Sequence, residues 1–394
     1  MINLVSRRVG PATVIAIAVI AATTVRADDG KQNRYVVTNL VSDIPIKGMN
    51  PTIDPLLQNA WGVAFTPGAS PFWVADNATG CSTLYGGDGT IVNVPGATPV
   101  KLPLPGGSVP PTACMHVNPP PAPAPNPTPA APTGMVWNPT STFLVPGTVN
   151  TAASFIWATE DGTISAWANN LSPNPNFARL AVDNPNTTSG PVFKGLVFGT
   201  NVNGVFLFAT NFRGGTVDVF DHTYTKVKSF TDPDLPPGFA PFGIQNINGN
   251  LFVTYALQNQ QKHDDVAGPG NGFVDIYDTD GNLLRRFASR RPLNSPWGVT
   301  RASFAFGRFS GDILVGNFGD GRIHAFDSNG NFRGTLRDNN GKPIVIEGLW
   351  TLTLGGGRNS NSDTLYFTAG GHMEKQGLFG SLTPNVVGHH SRFG

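Results

Sequence analysis

The chain has 394 residues with 26 Lys and Arg against 25 Asp and Glu, and only 13% of its residues are charged. A balance this close gives no electrostatic reason to seek nucleic acid or an anionic membrane surface. Its 47 glycines and 35 prolines suit many short strands joined by tight turns.

Met1 to Ala27 carries Arg7 and Arg8, an apolar run from Val14 to Ala22 and a Val25-Arg26-Ala27 end. That is the pattern of a secretory signal peptide, and the apolar core is shorter than the ~20 residues a membrane span needs. The expected mature chain, 28–394, is secreted or periplasmic. It loses three arginines and no acid with the leader, which leaves a small net negative charge. No later stretch is long and apolar enough to span a membrane.

Arg34 to Leu40, RYVVTNL, is β-branched and aromatic and reads as a strand standing ahead of the first repeat. After it, one pattern recurs six times. A first strand is marked by Gly62, Gly134, Gly195, Gly243, Gly298 or Gly348. An apolar second strand follows, as in Phe72–Ala75, Phe155–Ala158, Phe206–Ala209, Leu251–Thr254, Ile313–Gly316 and Leu365–Thr368. A glycine then opens the third strand, as in Gly162-Thr-Ile-Ser-Ala-Trp167 and Gly321-Arg-Ile-His-Ala-Phe326. Alternation within these segments has the period of a strand, and Asn/Asp-Gly tracts separate them. A four-stranded sheet cannot bury both faces alone, so the copies must stack. The predicted fold is all-β, a single six-bladed β-propeller over 28–394. The sixth repeat ends early, at Leu382-Thr383-Pro384, so the N-terminal strand is expected to complete the last blade and close the ring. No segment shows a capped apolar stripe at helical period. The closed ring is expected as a monomer.

Blade one is followed by an insertion, about 102–132, whose PPPAPAPNPTPAAP core reads as an extended surface loop. Cys81 and Cys114 are the chain's two cysteines, and in an exported protein they read as a disulfide tying this insertion to blade one, two free thiols being the alternative.

In propellers generally, the blade connections and the loops between second and third strands share one face around the central channel. Two of those loops are long here: Gln258 to Asn271, QNQQKHDDVAGPGN, and Gly370 to Gln376, GGHMEKQ. Long loops on a rigid scaffold are where function is usually carried. The candidate binding face is therefore Asp76, Asn77, Glu160, Lys194, Asn211, His263, Asn317 and His372, with Glu374 on the same rim; Asp76, Asn211 and Asn317, at strand ends, read most simply as turn residues stabilising the hairpins. Oxygen ligands around a channel suit Ca²⁺ or a similar hard cation. Asp264, Asp265 and Asn271, with Glu347 at the sixth blade entrance, are the candidate ligands; the alternative is that the paired acids cap turns. Gly268-Pro-Gly-Asn-Gly272 resembles a phosphate cradle but leads into a strand and not a helix. His324, mid-strand, reads as a sheet-face residue. Trp61, Trp297 and Trp350 at blade entrances read as packing between blades.

Asn39-Leu-Val-Ser-Asp43, Phe72-Trp-Val-Ala-Asp-Asn77, Lys262-His-Asp-Asp-Val-Ala-Gly-Pro-Gly-Asn-Gly272 and Val315-Gly-Asn-Phe-Gly-Asp-Gly321 carry a resemblance over nearly the whole mature chain. It is to a family of exported bacterial propellers with NHL-like repeats, and it implies a fold without implying an activity. Glu347-Gly348-Leu349-Trp350 is similar to a blade entrance of the gluconolactonase (regucalcin-like) group. That likeness implies a divalent ion held by Glu347 with some of Asp76, Asn211 and Asn317, polarising a lactone carbonyl and activating water. The expected function is thus binding of a small molecule, glycan or protein on the loop-rich face, with metal-dependent lactone hydrolysis as the alternative.

Overall fold

The computed structural model describes residues 32–68, 70–115, 128–184 and 189–385. The predicted signal peptide and the 116–127 part of the proline-rich insertion lie outside them. Strands β1 (Tyr35–Ser42) and β2 (Thr52–Ile53) precede the first repeat. Blade one is β3 (Ala60–Ala64), β4 (Phe72–Asp76), β5 (Cys81–Tyr85) and β6 (Val100–Lys101). Blade two is β7 (Pro132–Trp137), β8 (Phe155–Thr159), β9 (Thr163–Trp167) and β10 (Arg179–Asp183). Blade three is β11 (Phe193–Asn201), β12 (Gly204–Asn211), β13 (Thr216–Phe220) and β14 (Lys226–Phe230). Blade four is β15 (Phe239–Ile247), β16 (Asn250–Leu257), β17 (Phe273–Tyr277) and β18 (Leu283–Ser289). Blade five is β19 (Pro296–Arg301), β20 (Ile313–Asn317), β21 (Ile323–Phe326) and β22 (Phe332–Thr335).

The sixth sheet runs β2-β1-β25-β24-β23, with β23 (Leu349–Leu354), β24 (Leu365–Ala369) and β25 (Leu378–Pro384). β1 lies antiparallel to β25 from Tyr35↔Pro384 to Ser42↔Leu378. The two ends of the propeller therefore share one blade, and the β25 edge is covered by β1 instead of facing solvent.

Each first strand carries a bulge at the same place. The register jumps over residues 61–62, 133–134, 194–195, 242–243, 297–298 and 350–351. The second residue of each pair touches the next blade's backbone. A Cβ on Gly243 would stand 2.1 Å from the Trp297 carbonyl oxygen, and one on Gly298 would stand 2.4 Å from that of Trp350. Glycine is required where two backbones approach this closely. Blade six departs from the expected repeat. Its residue at this point is Thr351, whose hydroxyl donates to the Trp61 carbonyl at 2.7 Å. Gly348 lies three residues earlier, in the left-handed position (φ 67°) that Asn59 (φ 48°) and Ser295 (φ 46°) hold in blades one and five.

The first residues of the bulged pairs are Trp61, Thr133, Lys194, Phe242, Trp297 and Trp350, and all but Thr133 meet at the centre of the ring. Aromatic rings from four blades meet there. Trp61 stacks on Trp350 at 3.5 Å between centroids, Trp297 meets both edge-on at 6.0 and 5.8 Å, and Phe242 meets Trp350 at 5.9 Å. This plug closes the channel. Farther along the first strands a cavity of about 60 Å³ remains, lined by Gly134, Gln245, Gly298, Thr351 and Thr353 among others. Elsewhere the tryptophans pack between blades as expected; Trp73 stacks on Phe155 at 4.4 Å and sits 5.0 Å from Trp167. Cys81 and Cys114 are disulfide-bonded. Among the described residues no helix is long and apolar enough to cross a membrane.

Candidate binding site at the channel mouth

Because side chains alternate along a strand, the last residue of β4, β12 and β20 turns away from the axis and the next one turns toward it. Asp76, Asn211 and Asn317 accordingly hold their own turns. The Asp76 carboxylate accepts the Thr83 amide at 2.9 Å, and burial pushes this acid well above the usual range. Asn211 donates to Asp218 at 3.1 Å and accepts the Gly214 amide at 2.9 Å. Asn317 donates to the Pro292 carbonyl and to Asp320. Their successors are the mouth residues: Asn77, Phe212 and Phe318, with Glu160 directly after β8.

Those successors join a network that spans five blades. Asn59 Nδ2 donates to Asn77 Oδ1 at 3.1 Å and to Glu374 Oε2 at 2.8 Å, while Trp350 Nε1 donates to Asn59 Oδ1 at 3.2 Å. Asn77 Nδ2 donates to Glu160 Oε2 at 3.0 Å. The other Glu160 oxygen accepts the Lys194 ammonium, which lies 3.9 Å from Asp264 Oδ1. His263 Nδ1 sits 2.7 Å from that same Asp264 oxygen. Lys194 is 2% exposed and rests 5.0 Å from the centroid of Trp61 and 5.8 Å from that of Phe212. A buried ammonium costs several kcal/mol unless paired; here a carboxylate and two aromatic faces do so.

The charges interact. The hydrogen bond between His263 and Asp264 raises the imidazole and lowers the carboxyl. Burial first, and then the charge of Glu160, push up the Glu374 carboxyl to about 7. Glu374 reaches inward from a left-handed turn in which His372, Met373 and Glu374 have φ of 53°, 56° and 62°. Such a run is uncommon for residues other than glycine. His372 itself is exposed, and its backbone amide donates to Glu347 Oε1 at 3.0 Å.

The four residues singled out as ion ligands do not form one cluster. Asp265 faces Ser295 and is raised by burial, and Asn271 donates to the Val266 carbonyl within its own loop. Glu347 is exposed on the turn before β23. Among the described residues, the three carboxylate or imidazole side chains whose ligand atoms come within 4.8 Å of one another are Glu160, His263 and Asp264. The sequence did not point to Asn59 or Phe318. A signal for both exists in the repeat register: Asn59 stands two residues before the bulge, as Ser295 does, and Phe318 follows a second-strand end as Glu160 does. His324 is a sheet-face residue, with its Nδ1 3.0 Å from the Thr335 hydroxyl; burial lowers it to about 4.

Beside the mouth, the 258–272 loop borders a groove of about 590 Å³ lined by Asn211, Arg213, Gly214, Gln260, Gln261 and Lys262 among others. Fold and site together define a six-bladed β-propeller with an aromatic plug beneath a polar, predominantly acidic mouth.

No family model matches the chain. Uncharacterized protein R648 of Acanthamoeba polyphaga mimivirus is 30% identical over 342 residues, covering 85% of this chain and 77% of that protein. Uncharacterized protein L690 of the same virus is 30% identical over 264 residues, covering 65% and 68%. The chain belongs to the family these proteins represent. Among solved structures, virginiamycin B lyase from Staphylococcus aureus has a TM-score of 0.49 at 15% identity, covering 89% of this chain and 99% of that one. A gluconolactonase from Xanthomonas campestris has a TM-score of 0.45 at 13% identity, covering 84% and 88%. Scores of this size carry no statement about activity.

Proposed function

We propose that this protein is an exported, non-catalytic binding module whose channel mouth takes a neutral, hydroxyl-rich ligand of the glycan type. The observation that carries the reading is the convergence of Asn59, Asn77, Glu160, Lys194, Asp264 and Glu374 over one aromatic floor. Carboxylates accept from hydroxyls and amides bond them in both directions. Glu160, Asp264 and Glu374 face Lys194 and His263, so the mouth offers an anion no excess of positive charge. The adjoining groove continues the same chemistry with Gln260 and Gln261, so a ligand longer than one ring has somewhere to lie. The test is calorimetric titration of neutral oligosaccharides and polyols into the wild type and the Gln260→Ala/Gln261→Ala variant. A saturable ligand is expected, weakened roughly thirtyfold by the double change if each amide supplies a hydrogen bond of about 1 kcal/mol. If no compound of the panel binds, or the variant binds as the wild type does, the reading fails.

A second reading, metal-dependent hydrolysis of a lactone, is favoured by the proximity of Glu160, His263 and Asp264. It requires lactone turnover that is lost with a chelator and restored by a divalent ion.

A further inference from the structure

We infer that the Lys194 ammonium is the resident cation of the mouth, filling from within the chain a position that Glu160, His263 and Asp264 would otherwise offer to a divalent metal ion. The inference goes beyond the glycan reading and does not depend on it, and it excludes the metal-dependent reading at the same three residues.

Two independent observations meet at this point. One is the donor set: a Glu, a His and an Asp from two blades bring ligand atoms within 4.8 Å of one another. Its members are already oriented by groups behind them. Asn77 holds the second oxygen of Glu160, and Asn259 donates to Asp264 at 3.2 Å and accepts the His263 amide at 3.0 Å. Metal ligands are held by outer partners in the same way.

The other is what already occupies the set. The Lys194 ammonium is bonded to one Glu160 oxygen and lies 3.9 Å from Asp264 Oδ1, the oxygen that His263 also contacts. Lys194 stands at the bulge position where the other five blades have Trp, Thr, Phe, Trp and Trp, so no repeat rule calls for a charge there. A lysine in that ring, almost fully buried, is accounted for by the carboxylates it meets. A metal ion on the same ligands would lie within a few ångströms of the ammonium, and two cations at that distance repel each other. The two are alternatives.

The donor chemistry says which ion the vacated set would take. One imidazole with two carboxylates suits a first-row divalent metal such as Mn²⁺ or Zn²⁺ better than the all-oxygen shell of Ca²⁺.

The experiment is Mn²⁺ titration followed by electron paramagnetic resonance, on the whole protein. The wild type is expected to show no saturable uptake. Lys194→Met, which keeps an unbranched side chain one atom shorter and removes its charge, is expected to take up one Mn²⁺ per chain and to gain thermal stability with added Mn²⁺. Adding Glu160→Gln to that variant should weaken uptake by at least the ~10–100-fold that disturbing a ligand's outer partner costs, since Glu160 is itself a ligand. A folded Lys194→Met protein that binds no Mn²⁺ overturns the inference, as does a wild type whose saturable Mn²⁺ uptake is abolished by Glu160→Gln. The wild-type arm stands even if Lys194→Met does not fold, and Lys194→Gln then serves as the second variant. Loss of glycan binding would leave the inference untouched, and its failure would leave the glycan reading standing.

Discussion

Glu374 is a mouth residue whose protonation changes near neutral pH. Its carboxyl is pushed up to about 7, by burial before anything else, and it faces Asn59 directly with Glu160, Lys194 and Asp264 around it. A carboxyl raised in the folded state contributes stability that is complete below its unfolded pKa and is lost as pH rises through the folded value. The window is therefore about pH 4.5 to 7, and the effect is on the order of 2–3 kcal/mol at the upper end. Glu374→Gln should match the wild type in denaturant midpoint at pH 5 and exceed it at pH 8. A variant with the wild-type pH slope would remove Glu374 as the source. Nothing in the local sequence announces this. His-Met-Glu in a glycine-led loop reads as exposed, and the inward turn of Glu374 depends on Asn59, 315 positions away in the chain.

At the scale of the element, blade four shows how one cation ties strands together. Arg286 in β18 donates to Asp275 in β17 and to Asp232 in the connection from blade three. Both acids are buried, and burial raises Asp275 to about 7 even with the guanidinium beside it. Arg286→Met would leave two acids buried without their cation, at a cost of about 3–5 kcal/mol. Exchanging all three residues for apolar ones of similar volume should recover most of that loss, because removing a complete buried ion set is far cheaper than breaking it. Chemical denaturation of the two proteins checks both halves; equal losses in the single and triple variants would contradict the account. The first-strand bulge is the element that the repeat pattern partly exposed. Five glycines mark it correctly. In blade six Thr351 holds the position, since a hydroxyl bonded to the neighbouring carbonyl does what the missing side chain does elsewhere, and Gly348 marks a left-handed turn.

At the scale of the molecule, ring closure rests on β1. Seven of its eight residues pair with β25, and it supplies Tyr35 to a cluster with Phe306 and Phe309, at 4.9 and 6.3 Å between ring centroids. Removing residues 32–53 would expose the β25 edge and uncover the apolar face beneath it. The truncated protein is expected to unfold at lower temperature and to self-associate through that edge. Adding the excised segment as a separate peptide should restore part of the midpoint. A truncated chain that stays monomeric with an unchanged midpoint would show that closure lies elsewhere.

Strand period, turn residues and sixfold recurrence are local properties of the chain, so sequence alone determined the propeller, its blade count and the strand that closes it. The disulfide was legible as a pairing of two cysteines and is present. What sequence could not determine is which polar residues share the axis. Residues at 59, 77, 160, 194, 264 and 374 come from five blades, and a side chain's aim depends on a bulge or a left-handed turn that shifts it by one position. Only the closed ring decided that Lys194 meets Glu160, while Asp265, Asn271 and Glu347 face other partners.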